Sequence, residues 1–243
     1  MKHNYHIYNI GDHALVVDGG DKIDPGIHSQ MVQLAHFIQE KSLPGVKDLI
    51  VAYASLTIYY DPFPLKNHFQ IQSTVFEWFS HWIQQTLQSL KTEHLSVGRK
   101  FNIPVCYGND FGKDLEKVAV ALQVVPQKII EEHISMSYMI YMIGFIPGFP
   151  YMASLPTTLH TARKSVPETV PAGSVAIAGA QTGIYPVESP GGWNIIGRTP
   201  LSIFNKEAAT PVFWQPGDEV QFHRISEAQF HQIAQNPSSW LLQ

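Results

Sequence analysis

Between Arg163 and Pro200 the chain gathers several side chains that polar chemistry uses. Arg163 and Arg198 can each grip a carboxylate or a phosphate through two parallel N–H donors. Gln181 and Asn194 can orient an amide or donate to a developing oxyanion. Glu188 can act as a base if partly enclosed, and Tyr185 and Trp193 can wall a pocket. Taken singly, each has an ordinary structural role: Arg198 in a surface ion pair, Glu188 as a solvated loop charge, Trp193 in the core. Their crowding into one turn-rich stretch is what marks a binding site.

Other chemistries find little support. There is no GxxxxGK[ST] phosphate loop, no GxGxxG after a strand and no GxSxG elbow. The single cysteine, Cys106, stands in a strand-like Val105-Cys106-Tyr107 context with no neighbouring base, so it reads as a buried structural thiol. The 12 histidines include no HExxH pattern, and His3 and His6 read as solvated side chains near a terminus. A formal charge of −4 with only 15% charged residues excludes the clustered basic footprint of a nucleic-acid binder. A polar N-terminus and the lack of any membrane-length apolar run lead to the expectation of a cytoplasmic protein without membrane attachment.

The elements that must position these residues are legible in outline. A chain of 243 residues allows one large domain or two modest ones. In the first hundred residues, strands are expected at Tyr5–Ile10, Ala14–Asp18, Val46–Ala54 and Leu56–Tyr60. Ile27, Met31, Leu34, Ala35 and Ile38 recur at helical spacing until Pro44-Gly45. A second, single helix is expected after Pro64, with a stripe from Phe69 to Leu90 that ends near Lys91. That order fits a small α+β sandwich with its helices on one face of an antiparallel sheet. Thr92–Lys100 reads as a linker, which puts the domains at 1–97 and 98–243.

Beyond it, a strand at Phe101–Tyr107 precedes short helices at Asp114–Leu122 and Pro126–His133. Short strands then alternate with turns: Tyr138–Ile143, Ser174–Ala178, Gly183–Val187, Trp193–Arg198, Leu201–Phe204 and Glu219–Ile225. This is the texture of a closed or nearly closed barrel. Gly144–Tyr151, with its interleaved Gly and Pro, reads as neither helix nor central strand. A final helix at Glu227–Gln235 has Ser226 as its N-cap.

The motifs GFIPGFPY at 144–151, PAGSVAIAGAQTGIYPVESPGGWNIIGRTP at 171–200, GDHALVV at 11–17 and PVCYGNDFGKDLEKVA at 104–119 resemble the family of 5-oxoprolinase B subunits. This family is also known as allophanate hydrolase subunit 1, as Kip-type inhibitors of sensor histidine kinases, and as carboxyltransferase subdomains C and D. The likeness runs over nearly the whole chain. It implies a cyclophilin-like β-barrel for the C-terminal part, behind the small α+β domain. It also implies partners, the A and C subunits of 5-oxoprolinase, the latter related to allophanate hydrolase subunit 2. ATP with Mg is implied as a substrate of the assembled enzyme. The chain departs from the family at Glu168, where a second arginine is usual.

Three functions follow from the resemblance. The first is a share in ATP-dependent opening of the 5-oxo-L-proline lactam to L-glutamate, or of a urea-derived amide in the allophanate version. Arg163, Gln181, Thr182, Tyr185, Trp193, Asn194 and Arg198 are then the substrate-binding candidates. Glu188 and His133 are the candidate proton carriers, His133 because the resemblance places a histidine there. The second is docking on a sensor histidine kinase, with the Phe145–Tyr151 loop as an apolar patch. The third, prolyl isomerisation, rests on fold analogy alone.

Overall fold

The computed structural model describes residues 5–90 and 98–236. The chain divides into two compact units, 1–97 and 98–243.

In the first unit, β1 (His6–Ile10), β2 (Ala14–Asp18), β3 (Val46–Val51) and β4 (Ser55–Tyr60) form an antiparallel sheet in the order β1-β2-β4-β3. Helix α1 (Pro25–Lys41) starts where the Asp24 carboxylate accepts from the Gly26 and Ile27 N–H groups and Pro25 presets the first turn. It buries Ile27, Met31, Leu34, Ala35 and Ile38, most of them in one cluster with Leu15, Val17, Leu56 and Ile58 of the sheet. The single helix expected after Pro64 is two, α2 (Pro62–Phe69) and α3 (Val75–Ser89). Gln70 ends α2 in the left-handed region, at φ +50. A reciprocal capping box between Thr74 and Glu77 starts the next helix. The apolar stripe crosses the break because Phe69 stacks on Trp78 at 4.6 Å. Lys91, the expected end of that helix, lies outside the described residues.

The second unit is a closed barrel. Its strands are β5 (Lys100–Tyr107), β6 (Ser137–Ile143), β7 (Pro150–Ala153), β9 (Ser174–Ala178), β10 (Gln181–Ile184), β12 (Asn194–Arg198) and β13 (Glu219–Arg224). They run β10-β7-β6-β13-β5-β12-β9, and β9 pairs back onto β10. The two remaining strands, β8 (Glu168–Val170) and β11 (Ser189–Gly191), form a separate antiparallel ribbon. All barrel pairings are antiparallel except β13 with β5. Helices α4 (Leu115–Leu122) and α5 (Pro126–Ile134) contribute Leu115, Val118, Ile129 and Ile130 to the barrel core. Helix α6 (Glu227–Gln235) begins at a Ser226–Gln229 capping box.

Three expectations for this unit are corrected. Gly144–Tyr151 is not wholly loop, because Pro150 opens β7, which lies between β6 and β10. Proline is tolerated as the first residue of a strand, where a missing N–H leaves the rest of the ladder intact. Strand β10 begins two residues before the expected Gly183. Leu201–Phe204 is not a strand: Leu201 and Ile203 are buried, but only an isolated bridge, Phe204 to Val212, forms there. Residues 92–97 of the expected linker lie outside the described residues, and its end is already barrel. Arg99 forms a two-point pair with the fully buried Asp218, whose carboxylate also accepts from the Gln215 N–H.

Candidate functional site

Alternation along β10 decides which expected site residues can meet. Thr182 and Ile184 point into the barrel, whereas Tyr185 belongs to a second apolar cluster on the outer wall and Gly183 abuts its Phe149. Period-two geometry puts Gln181 on that outer side too. The outer wall is floored by Ala176 and Ala178 of β9 with Ile195 of β12. Over this floor stand Phe149, Tyr151, Tyr185 and Trp193, packed edge to face. Phe149 lies 5.1 Å from Tyr185 and 5.4 Å from Trp193, and Tyr151 lies 5.8 Å from Trp193. Two glycines make room for the rings. A Cβ on Gly183 would meet the Phe149 ring at 2.7 Å, and one on Gly191 would run into the Tyr185 oxygen.

Arg163 stands at the edge of this aromatic wall. Its guanidinium carbon is 5.8 Å from the Trp193 ring centroid, within cation–π range. Burial pushes the Tyr151 and Tyr185 phenols up, against the pull of the Arg163 charge on both. The segment that bears Arg163 is tied down on either side. The Asn194 side-chain amide donates to Ala162 O at 2.8 Å, and the Lys164 N–H donates to Gly192 O at 2.7 Å. The Lys164 side chain is only 6% exposed; its ammonium donates to Asp114 Oδ2 at 2.9 Å, and the same oxygen accepts from the Ile195 N–H at 2.8 Å. Glu168 is exposed and accepts from Lys113 at 2.7 Å and from Lys164 at 3.3 Å. These bonds, Lys113 first, hold its carboxyl below the usual range.

The structure therefore groups Arg163, Tyr185 and Trp193, adds Phe149 and Tyr151, and gives several expected residues different surroundings. Asn194 is 5% exposed, and its amide is engaged with Ala162 O and, at 3.4 Å, Ile177 O. Arg198 sits at the far end of β12, opposite Ser174, with its Nε on Ala172 O at 2.8 Å. Glu188 is exposed between β10 and β11, and Gln181 is half-buried at the start of β10.

His133 and Thr182 are inside the barrel rather than on its wall. The Tyr107 hydroxyl meets His133 Nδ1 at 2.8 Å, His133 Nε2 meets Thr182 Oγ1 at 2.9 Å, and Thr182 Oγ1 donates to Ala176 O at 3.1 Å. Because Thr182 gives its proton to a carbonyl, it accepts from Nε2–H, which leaves Nδ1 to accept from Tyr107. The imidazole also stacks on Phe222 at 4.6 Å. Burial pushes its pKa down to about 3. It is a neutral, fully bonded core histidine with neither nitrogen free to take a proton.

Phe149 and Tyr151 lie in the GFIPGFPY motif and Asp114 in PVCYGNDFGKDLEKVA, but nothing in the sequence pairs Asp114 with Lys164, because the two stand 50 positions apart. In the first unit, a groove of about 320 Å³ beside β3 brings Lys47 and Asp48 together as its only charged lining. No three His, Cys, Asp or Glu side chains group as metal ligands among the described residues. No helix among them is long and apolar enough to cross a membrane.

Residues 5–214, which take in the first unit and most of the closed barrel, match the family described as carboxyltransferase domain, subdomain C and D. The chain belongs to that family and, within it, to the group of 5-oxoprolinase B subunits. It is 39% identical over 233 residues to the B subunit of 5-oxoprolinase from Bacillus subtilis, covering 95% of this chain and 97% of the relative. The crystal structure of TTHA0988 is similar at TM-score 0.74 and 31% identity over 88% of this chain. This chain spans 40% of that protein. The K. lactis urea amidolyase shares the fold at TM-score 0.72 and 15% identity, with 96% of this chain covering 15% of that one.

Proposed function

We propose that this chain is the B subunit of an ATP-dependent 5-oxoprolinase and presents the 5-oxo-L-proline lactam on the outer wall of its barrel. The observation that carries the reading is Arg163 beside Trp193 and Tyr151, in a chain whose full-length relatives bear the 5-oxoprolinase name. The substrate is a small flat ring with one carboxylate. Tyr151, the half-buried ring of the cluster, suits the lactam ring, and the exposed Arg163 guanidinium suits the carboxylate with a two-point hydrogen bond. Of the two arginines, Arg163 is the better grip, because Arg198 already donates its Nε to Ala172 O. Gln181 shares the outer face with Tyr185 and is the amide able to approach the lactam, since Asn194 is engaged with the backbone. Glu188, which solvent reaches, takes the proton-carrying role over the enclosed His133.

At this cluster the described residues offer ATP and its magnesium little to hold. The lysines beside the cluster, Lys113 and Lys164, are already neutralised by Glu168 and Asp114, so nucleotide binding is assigned to the partner A and C subunits. The test is 5-oxoproline-stimulated ATP hydrolysis by this chain assembled with those partners. Arg163→Gln should raise KM for 5-oxoproline by about tenfold or more, the loss of one charge-assisted bidentate contact. Absence of stimulation in the wild-type assembly would sink the reading. Stimulation by a urea-derived amide alone would move the substrate to the allophanate class. Loss of sensor-kinase autophosphorylation on adding the chain by itself would favour the inhibitor.

A further inference from the structure

We propose that Lys164 is the positioning residue for Arg163, its ammonium seated on Asp114 so that the neighbouring guanidinium stays over the Trp193 ring. The inference rests on the reading of Arg163 as the carboxylate grip. Arg163 is exposed and lies in a segment without regular secondary structure, where a long side chain would otherwise sample many rotamers. A two-point contact with a carboxylate gains most when the guanidinium is already in place.

The bonds around it supply that order. Ala162 is held through its carbonyl by Asn194, and Lys164 is held through its N–H by Gly192 O. The third tie is the ammonium of Lys164 on Asp114. Asp114 is itself fixed to β12 by two bonds with Ile195: its N–H donates to Ile195 O at 2.9 Å, and its Oδ2 accepts from Ile195 N–H at 2.8 Å. Ile195 follows Trp193 by two residues, so one carboxylate references the arginine-bearing segment to the strand that Trp193 leads into.

A buried lysine amine is uncommon, and a well-packed apolar side chain would serve stability as well as the pair does. What the pair adds is direction, because it fixes the segment at a charge-defined point rather than by shape. Glu168 completes the arrangement from the solvent side, where its contact at 3.3 Å gives the ammonium a second acceptor.

The experiment compares Lys164→Met and Lys164→Arg in the assembled enzyme and in the purified chain. Lys164→Met should raise KM for 5-oxoproline by about tenfold with kcat changed less than about threefold, the signature of lost positioning rather than lost chemistry. Turnover of 5-oxoprolinamide, which lacks the carboxylate, should be unaffected. Lys164→Arg, which keeps a cation on Asp114, should recover most of the KM. In the purified chain, the ¹⁵Nε–H signal of Arg163 should be narrowed by motion and should exchange faster with solvent in Lys164→Met than in the wild type.

An unchanged KM together with an unchanged Arg163 signal overturns the proposal. So does an equal loss with both substrates alongside a lower thermal midpoint, which is what a merely structural clamp would give. If the wild-type assembly does not turn over 5-oxoproline, the functional reading fails by itself. The Arg163 signal still decides the role of Lys164, for or against.

Discussion

Replacing His133 with Leu should make the stability of the barrel less dependent on pH, with a crossing point set by the burial of the imidazole. The folded histidine has its pKa pushed down to about 3 from an ordinary value of 6.5. Between those values the unfolded chain binds a proton that the folded chain refuses. Stability from this group is therefore complete above pH 6.5 and is lost as the pH falls toward 3, at about 1.4 kcal/mol per pH unit. At pH 5 about 2 kcal/mol has gone.

In the Leu variant this slope disappears, but the Tyr107 hydroxyl is left buried without its acceptor, at a cost of about 2 kcal/mol at every pH. The variant should thus be the less stable protein at about pH 7.5 and roughly equal to the wild type near pH 5. Amide hydrogen exchange in β5 and β13 reads the opening of the barrel separately from the other unit. The carboxylates and the other histidines are common to both proteins and cancel in the difference. A gap that stays constant across that range, from about pH 7.5 to about pH 5, would show instead that His133 is protonated alike in folded and unfolded chains.

Asp218→Ala removes the acceptor that Arg99 and the Gln215 N–H share at the start of β5 and β13. It should cost about 3 kcal/mol, read as a thermal midpoint lower by about 5–10 °C. Gly191→Ala drives a methyl into the Tyr185 hydroxyl, which is buried and cannot swing aside. It should destabilise by about 1–3 kcal/mol in denaturant titration and disturb the aromatic wall. Burial, then the Glu227 charge, pushes the Cys106 thiol up, so Ellman's reagent should label it slowly in the native protein and rapidly after unfolding.

The legible parts of this fold are those whose signals are local. Ser226 announces the start of α6, and the cap expected from the sequence is the one observed. The apolar spacing from Ile27 to Ile38 likewise marks the buried face of α1. The break between α2 and α3 is hidden because it falls on Gln70, a residue type that rarely adopts the left-handed region, while the apolar stripe continues across it. Strand β7 is hidden by its shortness and its leading proline. In the site, the crowding of Arg163, Tyr185 and Trp193 is readable as composition. Thr182 is readable too, in the other sense. It shares parity with the apolar Ile184, which places it inside the barrel, although its hydroxyl suggests a place in the pocket. The tie between Lys164 and Asp114 cannot be read, since an ion pair between distant positions leaves no periodic trace.

The single parallel seam of the barrel, β5 against β13, joins the first strand of this unit to its last. The same last strand also closes onto β6. Until it is in place, β5 and β6 are open edges and the cylinder is a curled six-stranded sheet. Closing a loop of roughly a hundred residues is entropically slow, and contacts so distant in sequence delay folding. A ribosome must therefore deliver nearly the whole unit before the barrel can shut. During that interval the exposed edges of β5 and β6 are the segments most open to mispairing with another chain, and the ones a chaperone would have most reason to cover.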